Sequence, residues 1–578
     1  MNAPSTKQRL WQVAAVVAAM VACWVWFAFG ATYTIYAKEQ LVLFVADWAA
    51  VSEYLTRPAV IASIVGDYLT QFYLLIGGGA TILTVVMFAL WGGCRAALKR
   101  FGASGSTATM WALLPVAAEV ALNGHVEYPL SMSLAAMAAV WSFVAWNKMR
   151  GGALKYVIAM AWSVALYWAV GAHALMFVLL GAAWACKEQR WCWGAAIVGV
   201  GIAAVATIGR LMYLPVSQAF CYPIIEHYAL QNCNVYLLTE ASILAATILS
   251  LVAARGRAWL GVVASVAMAV VGVTTIFDRT QEYWLGMSCE AYFNRYDRVL
   301  ERAERNWEHQ SYVASYYTNL ALAKRGELGE RLTEFYQPST YGLLLDVDEK
   351  SPYGYVIAAS DATMTMGDLA EAQRAALLAM TFTPNQRSSR VAKRLVELAI
   401  LLNERELAEK YLWQLERTAL HKGWARSHRA ILDEGSERVA QQRQNLVKED
   451  GFVGANNWYP ALYALVEANG ENRIAVDYLL TMHLLRKDRQ RFVADYERYF
   501  YPHWGAHPPK MYQQALMIAF DNEQELVSAI ERYHISPEVQ RECVEYSRIY
   551  AQERGRGEAL QQRFGRTYWF YCNYAQMN

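Results

Sequence analysis

Charge is scarce in this chain. Asp, Glu, Lys and Arg make up 18% of its 578 residues, against 56% hydrophobic, whereas a soluble domain carries nearer a quarter charged. The shortage is uneven. Charges are sparse from about Leu10 to about Phe277 and dense from Asp278 onward. Residues 1–277 therefore read as a membrane domain and 278–578 as a soluble one. The net charge is only +2 and no basic stripe accompanies it, which argues against nucleic acid as a partner. Nine cysteines contain no CxxC pair, so neither a zinc framework nor a disulfide scaffold is expected. Most read as small buried hydrophobes. Cys221 and Cys233 share one polar loop and would bridge if that loop meets an oxidising compartment. Walker A, Rossmann-glycine, HExxH and GxSxG motifs are also missing. His125-Val126-Glu127 matches part of a deaminase motif but lacks the cysteine pair.

Long apolar runs are what the first half does have. A helix needs about twenty such residues to cross a bilayer. The first run, VAAVVAAMVACWVWFAFGAT after Lys7 and Arg9, is too long and too Trp-rich for a cleaved signal peptide. Nine candidate spans follow the pattern: about 11–31, 70–93, 107–123, 129–147, 154–170, 171–186, 193–211, 236–254 and 258–277. The fifth and sixth are split only by Gly171 and His173, and fused they would leave eight. With the N-terminus inside, the inner segments hold twelve Lys and Arg (from Lys7 to Arg257) and the outer loops only Lys38, Arg57 and Arg210. That asymmetry fits the positive-inside rule and favours splitting the pair. Trp91, Trp146, Trp191 and Trp193 fall beside the inner charges, where amphipathic rings prefer the interface. In a bacterium this topology means a multi-pass protein of the cytoplasmic membrane, N-terminus in the cytoplasm and residues 278–578 in the periplasm. The outer loop 32–69 is expected to carry a surface helix over Leu41–Leu55, broken at Pro58.

Ionisable groups inside a membrane are costly and suggest function by default. Glu119 lies late in the third span, Glu240 early in the eighth, His173 between the fifth and sixth, and Arg210 at the end of the seventh. Asp67 precedes the second span; His125 and Glu127 precede the fourth. Asp47, Glu226 and His227 occupy outer loops. All face outward in this topology. Asp47, Asp67, Glu119 and Glu240 would act as general bases or metal ligands in one shared cavity. His125, Glu127, His173, Arg210 and His227 would bind substrate, the cations holding a phosphate. The plainer reading makes them interfacial residues with ordinary structural hydrogen bonds.

The second half carries degenerate repeats. VIAASDATMTMGDLAEAQRAALLAMTFTP (356–384) resembles a tetratricopeptide repeat. Ala359, Ser360, Ala372 and Ala379 allow close helix packing, Gly367 makes the turn and Pro384 closes the unit. A second unit turns at Asn403, 36 residues later, near the expected period of roughly 34. Weaker copies occupy 311–335, 477–500 and 511–533, and 417–460 is irregular. The expected fold is all-α: a polytopic transmembrane helix bundle followed by a tetratricopeptide-like α-solenoid whose concave face would bind a protein or peptide.

Two stretches, EYLTRPAVIASIVGDYLTQFYLLIGG (53–78) and YYTNLALAKRGELGERLTEFYQPSTYGLLL (316–345), make the chain similar to a domain-of-unknown-function family of bacterial envelope proteins known mainly from Bacteroidetes. That resemblance implies a multi-span half followed by a repeat-bearing half, and supplies no catalytic residues. A looser similarity is to membrane glycosyltransferases that use polyprenyl-phosphate sugars. It implies an acidic residue in the first outer loop, here Asp47, although Trp48 stands where those enzymes have a second acid.

Two functions follow as expectations. One is a membrane-anchored interaction protein of the cell envelope, which needs no cofactor. The other is a transferase acting on a polyprenyl-phosphate-linked glycan at the outer leaflet, for which a divalent cation would serve. A transporter fits less well, because Gly77-Gly78-Gly79 breaks one span and no partner segment matches it.

Overall fold

A computed structural model describes residues 6–223, 235, 237–252, 258–305, 311–444, 457–520, 522–553 and 556–575. Glu226, His227 and Cys233 lie outside the described residues. The described residues are mainly helical, with no strand among them. It divides into two compact units. The first comprises Met1–Glu282 with two short later segments, Arg387–Ser389 and Gln414–Gly423. The second comprises Tyr283–Gln386, Arg390–Trp413 and Trp424–Asn578.

In the first unit, seven stretches are long and apolar enough to cross a membrane. They are Arg9–Gly30, Gly78–Phe101, Gly105–Asn123, Leu130–Asn147, Ala153–Lys187, Trp191–Leu211 and Trp259–Ile276. The long fifth stretch is broken at Gly171, whose φ of 69° is left-handed. Ala153–Val170 and Ala174–Lys187 are thus separate helices, and they pack on one another. The segment expected as an eighth span is a shorter apolar helix, Leu238–Val252. Apolar side chains such as Val17, Phe29, Val266 and Val270 are more than half exposed, as suits lipid contact. Phe143, Tyr156, Phe177 and Ile197 are fully enclosed in the core.

Three local expectations need correction. The second span begins at Gly78 instead of residue 70. Gln71–Leu74 is a 3-10 turn, Gly77 sits at φ 70°, and a Cβ at Gly79 would lie 2.3 Å from Ile35. The loop helix expected over Leu41–Leu55 is two helices, Thr32–Leu41 and Trp48–Tyr54, with nonhelical chain between them. Asp47 starts the second by accepting from the Ala49 amide at 3.0 Å, a standard N-cap. Glu282 holds the start of the first, accepting from the Tyr33 and Thr34 amides at 2.8 Å, where a carboxylate complements the helix dipole. Trp146 is fully buried instead of interfacial. Its indole N–H donates to the Lys155 carbonyl at 2.8 Å, and the Lys155 ammonium lies 4.8 Å from its ring.

The second unit is built from short capped helices. Ser311, Asp368, Asn472, Asp488 and Ser536 each accept from the backbone amide three residues on. Helix pairs turn on left-handed residues: Gly367 at φ 96° between Tyr353–Met366 and Leu369–Thr381, Asn403 at 61° between Ser389–Leu402 and Arg405–Glu416, and Lys487 at 58° between Arg473–Leu485 and Arg489–Asp495. Ala359, Ala372 and Ala379 are completely buried in the first pair. The copy at 311–335 is only half formed. After Gly326 the chain makes one turn, Leu328–Arg331, and a 3-10 turn in place of a second helix. Extended backbone at Phe335 ends the pattern there.

Candidate functional site

Glu119 has no exposed surface. It projects from Leu113–Asn123, and its neighbours come from three other places in the first unit. Ser133 Oγ donates to its carboxylate at 2.5 Å, Thr239 Oγ1 at 2.8 Å, Tyr128 OH at 3.0 Å and Asn123 Nδ2 at 3.1 Å. Ser133 lies on Leu130–Asn147, Thr239 on Leu238–Val252, and Tyr128 in the turn between Asn123 and Leu130. One carboxylate offers about four lone-pair sites, so four donors saturate it. The group pins three helices and a turn together.

Two further predicted residues adjoin this cluster. Glu240 follows Thr239 and pairs with His173 Nδ1. His173 lies close enough to Glu119 for their charges to interact. His173 is only 3% exposed, and its Nε2 has no hydrogen-bond partner among the described residues. On the other side, Lys38 Nζ donates to the Asn123 carbonyl at 2.8 Å. Burial pushes the Lys38 ammonium down to about 7, opposed by attraction to Glu119. In the next turn, the Glu127 amide donates to His125 Nδ1 at 3.3 Å. Burial, aided by the Lys38 charge, holds His125 down to about 4, and burial raises Glu127 to about 7.

The other predicted residues lie elsewhere. Asp47 caps its helix and faces Arg417 at 3.5 Å. Asp67 accepts from Tyr54 OH at 2.7 Å. Arg210 is exposed at the end of Trp191–Leu211. Among the described residues, no hydrogen bond or ion pair joins Asp47, Asp67 or Arg210 to the Glu119 cluster. Among the described residues, no group of three or more His, Cys, Asp or Glu is placed to hold a metal ion.

One buried pair was not anticipated. Glu39 and His421 are each 1% exposed and lie 2.8 Å apart. Thr418 Oγ1 accepts from the His421 amide, and Ser389 Oγ donates to the Glu39 carbonyl. Nearby, the Gln71 side chain accepts from the Ala419 amide at 3.0 Å. Nothing in the irregular sequence around 417–460 marks His421. The signal for Lys38 and Glu39 was slight: two charges inside the otherwise uncharged helix TYTIYAKEQL.

A model of the family of unknown function DUF6057 matches residues 7–575, so the chain belongs to that family. No curated protein and no solved structure matches it.

Proposed function

We propose that this chain is a membrane-anchored interaction protein of the bacterial envelope, recruiting a protein or peptide partner through a tetratricopeptide-like solenoid in its second unit. The observation that carries this reading is the series of helix pairs turning on Gly367, Asn403 and Lys487. Such pairs stack into binding surfaces. The membrane unit favours the same conclusion, because Glu119 is saturated, Asp47 and Asp67 bond to other groups and Arg210 is exposed. Nine spans with the N-terminus in the cytoplasm would set the second unit in the periplasm. Cys221, in a loop assigned to the outer side, is disulfide-bonded, which suits an oxidising compartment.

Photocrosslinking in native membranes tests the proposal. A photoreactive residue at Val544, 70% exposed on the second unit, should give a discrete protein adduct. The same residue at Val266, on the apolar face of Trp259–Ile276, should give none. Absence of adducts at Val544 and at other exposed positions of the second unit would sink the idea.

A second reading, lipid-linked glycosyl or phosphoryl transfer at the outer leaflet, draws on the His173–Glu240 pair beside Glu119. A buried imidazole with one nitrogen unused is suited to carrying a proton. Glu240→Gln should then abolish envelope-glycan product in a chain that still folds; unchanged product rules the transferase out.

A further inference from the structure

The second unit holds a small cavity of about 200 Å³. It forms where the 3-10 turn Ser339–Gly342 and Asp346 meet the start of Trp458–Ala468 and the end of Arg473–Leu485. Leu344 and Met482, each 2% exposed, form an apolar floor. The walls set three aromatic rings, Tyr341, Trp458 and Tyr459, among mainly polar groups. Trp458 Nε1 donates to Asp346 Oδ1 at 2.7 Å. Tyr459 stacks on His483 at 5.5 Å and lies beneath the Arg486 guanidinium at 4.7 Å. Tyr341, 48% exposed, is braced edge-on by Tyr312 at 6.1 Å. Asp346, Asn457 and Arg486 complete the rim.

We infer that this cavity binds a single sugar ring of a neutral saccharide. Drug-sized ligands occupy roughly 300–1,000 Å³, so this site takes something smaller. Among the described residues the rim carries one acid and one base, Asp346 and Arg486, which together favour neither an anion nor a cation. A sugar ring has the complementary chemistry. Its C–H face packs on an aromatic ring, and its hydroxyls both donate and accept. Asp346 accepts, Arg486 donates and Asn457 does both. The aromatic walls are already held by internal bonds, so binding orders little. This goes beyond recruitment of a protein partner, and it stands or falls separately.

The test is saturation-transfer NMR on the full-length protein in nanodiscs. The probes are mannose, galactose and N-acetylglucosamine, each as monosaccharide and as short β-linked oligomer, with a set of short neutral peptides as competitors. At least one saccharide should show transfer to its ring C–H protons. Trp458→Ala and Tyr341→Ala should each weaken that binding at least about tenfold, while Arg541→Ala on the remote Pro537–Gln552 helix leaves it unchanged. Tyr341→Ala spares the Trp458–Asp346 bond, so its loss of binding is not a loss of fold. The inference is overturned if no saccharide binds, if both aromatic variants bind like the parent, or if peptides bind and sugars do not.

Discussion

Glu119 shows what a buried carboxylate contributes when every lone pair is occupied. Hydrogen bonds between membrane helices are worth roughly 0.6–2 kcal/mol each, and Glu119 accepts three from outside its own helix. Glu119→Ala removes the acceptor that Ser133, Thr239 and Tyr128 share and should cost at least about 2 kcal/mol by this scale. Glu119→Gln keeps one acceptor oxygen and should fall between. Thermal unfolding in detergent should therefore rank parent above Gln above Ala, and equal melting temperatures would contradict the structural role. Lys38 makes a pH prediction. Its ammonium is disfavoured in the folded chain, so between about 7 and the ordinary 10.5 the unfolded chain binds the extra proton. Stability then rises with pH through that window. Lys38→Met should flatten the rise, read as melting temperature between pH 7 and 10; an identical slope in the variant would remove Lys38 as its source. Glu119 and Glu240 were legible in the sequence as intramembrane acids. Lys38 was not, because counting it as one outer-loop positive charge hides that the Thr32–Leu41 helix buries it.

Helices of the first unit approach closely where glycine allows. A Cβ on Gly261 would stand 2.8 Å from the Trp111 amide nitrogen and 2.9 Å from the Met110 carbonyl carbon, and backbone cannot swing aside as a side chain can. Small residues at such crossings are the usual means of membrane helix packing. Gly199, within Trp191–Leu211, has nothing within 4 Å of its would-be Cβ. Gly261→Ala should lower the unfolding temperature, whereas Gly199→Ala should leave it level or raise it slightly through helix propensity. The reverse order would contradict the packing described. At this scale the sequence was most readable. Apolar runs located most helices to within a few residues, the second span (expected 70–93, found Gly78–Phe101) excepted, and Gly367 and Asn403 marked real turns. Errors arose where tertiary contact overrode the local pattern. The 41–55 stretch breaks because the Ala46 amide donates to the Arg417 carbonyl at 2.8 Å, and no periodicity encodes a partner some 370 residues away.

At the scale of the whole molecule, the family match from residue 7 to 575 shows that both units belong to one design. The sequence divided the chain near residue 278, and the compact units divide between Glu282 and Tyr283. Composition could not reveal that Arg387–Ser389 and Gln414–Gly423 cluster with the first unit, because these segments are as polar as their surroundings. The proposed function needs the second unit outside the membrane and the turn before Trp191 inside. Cysteine accessibility in spheroplasts measures this directly, using a membrane-impermeant maleimide located by peptide mass mapping. Val544→Cys reports on the second unit, and the exposed native Cys192 reports on the turn beside Lys187 and Arg190. Val544→Cys should label in intact spheroplasts and Cys192 only after lysis. Labelling of Cys192 in intact spheroplasts, with Val544→Cys protected until lysis, would contradict it.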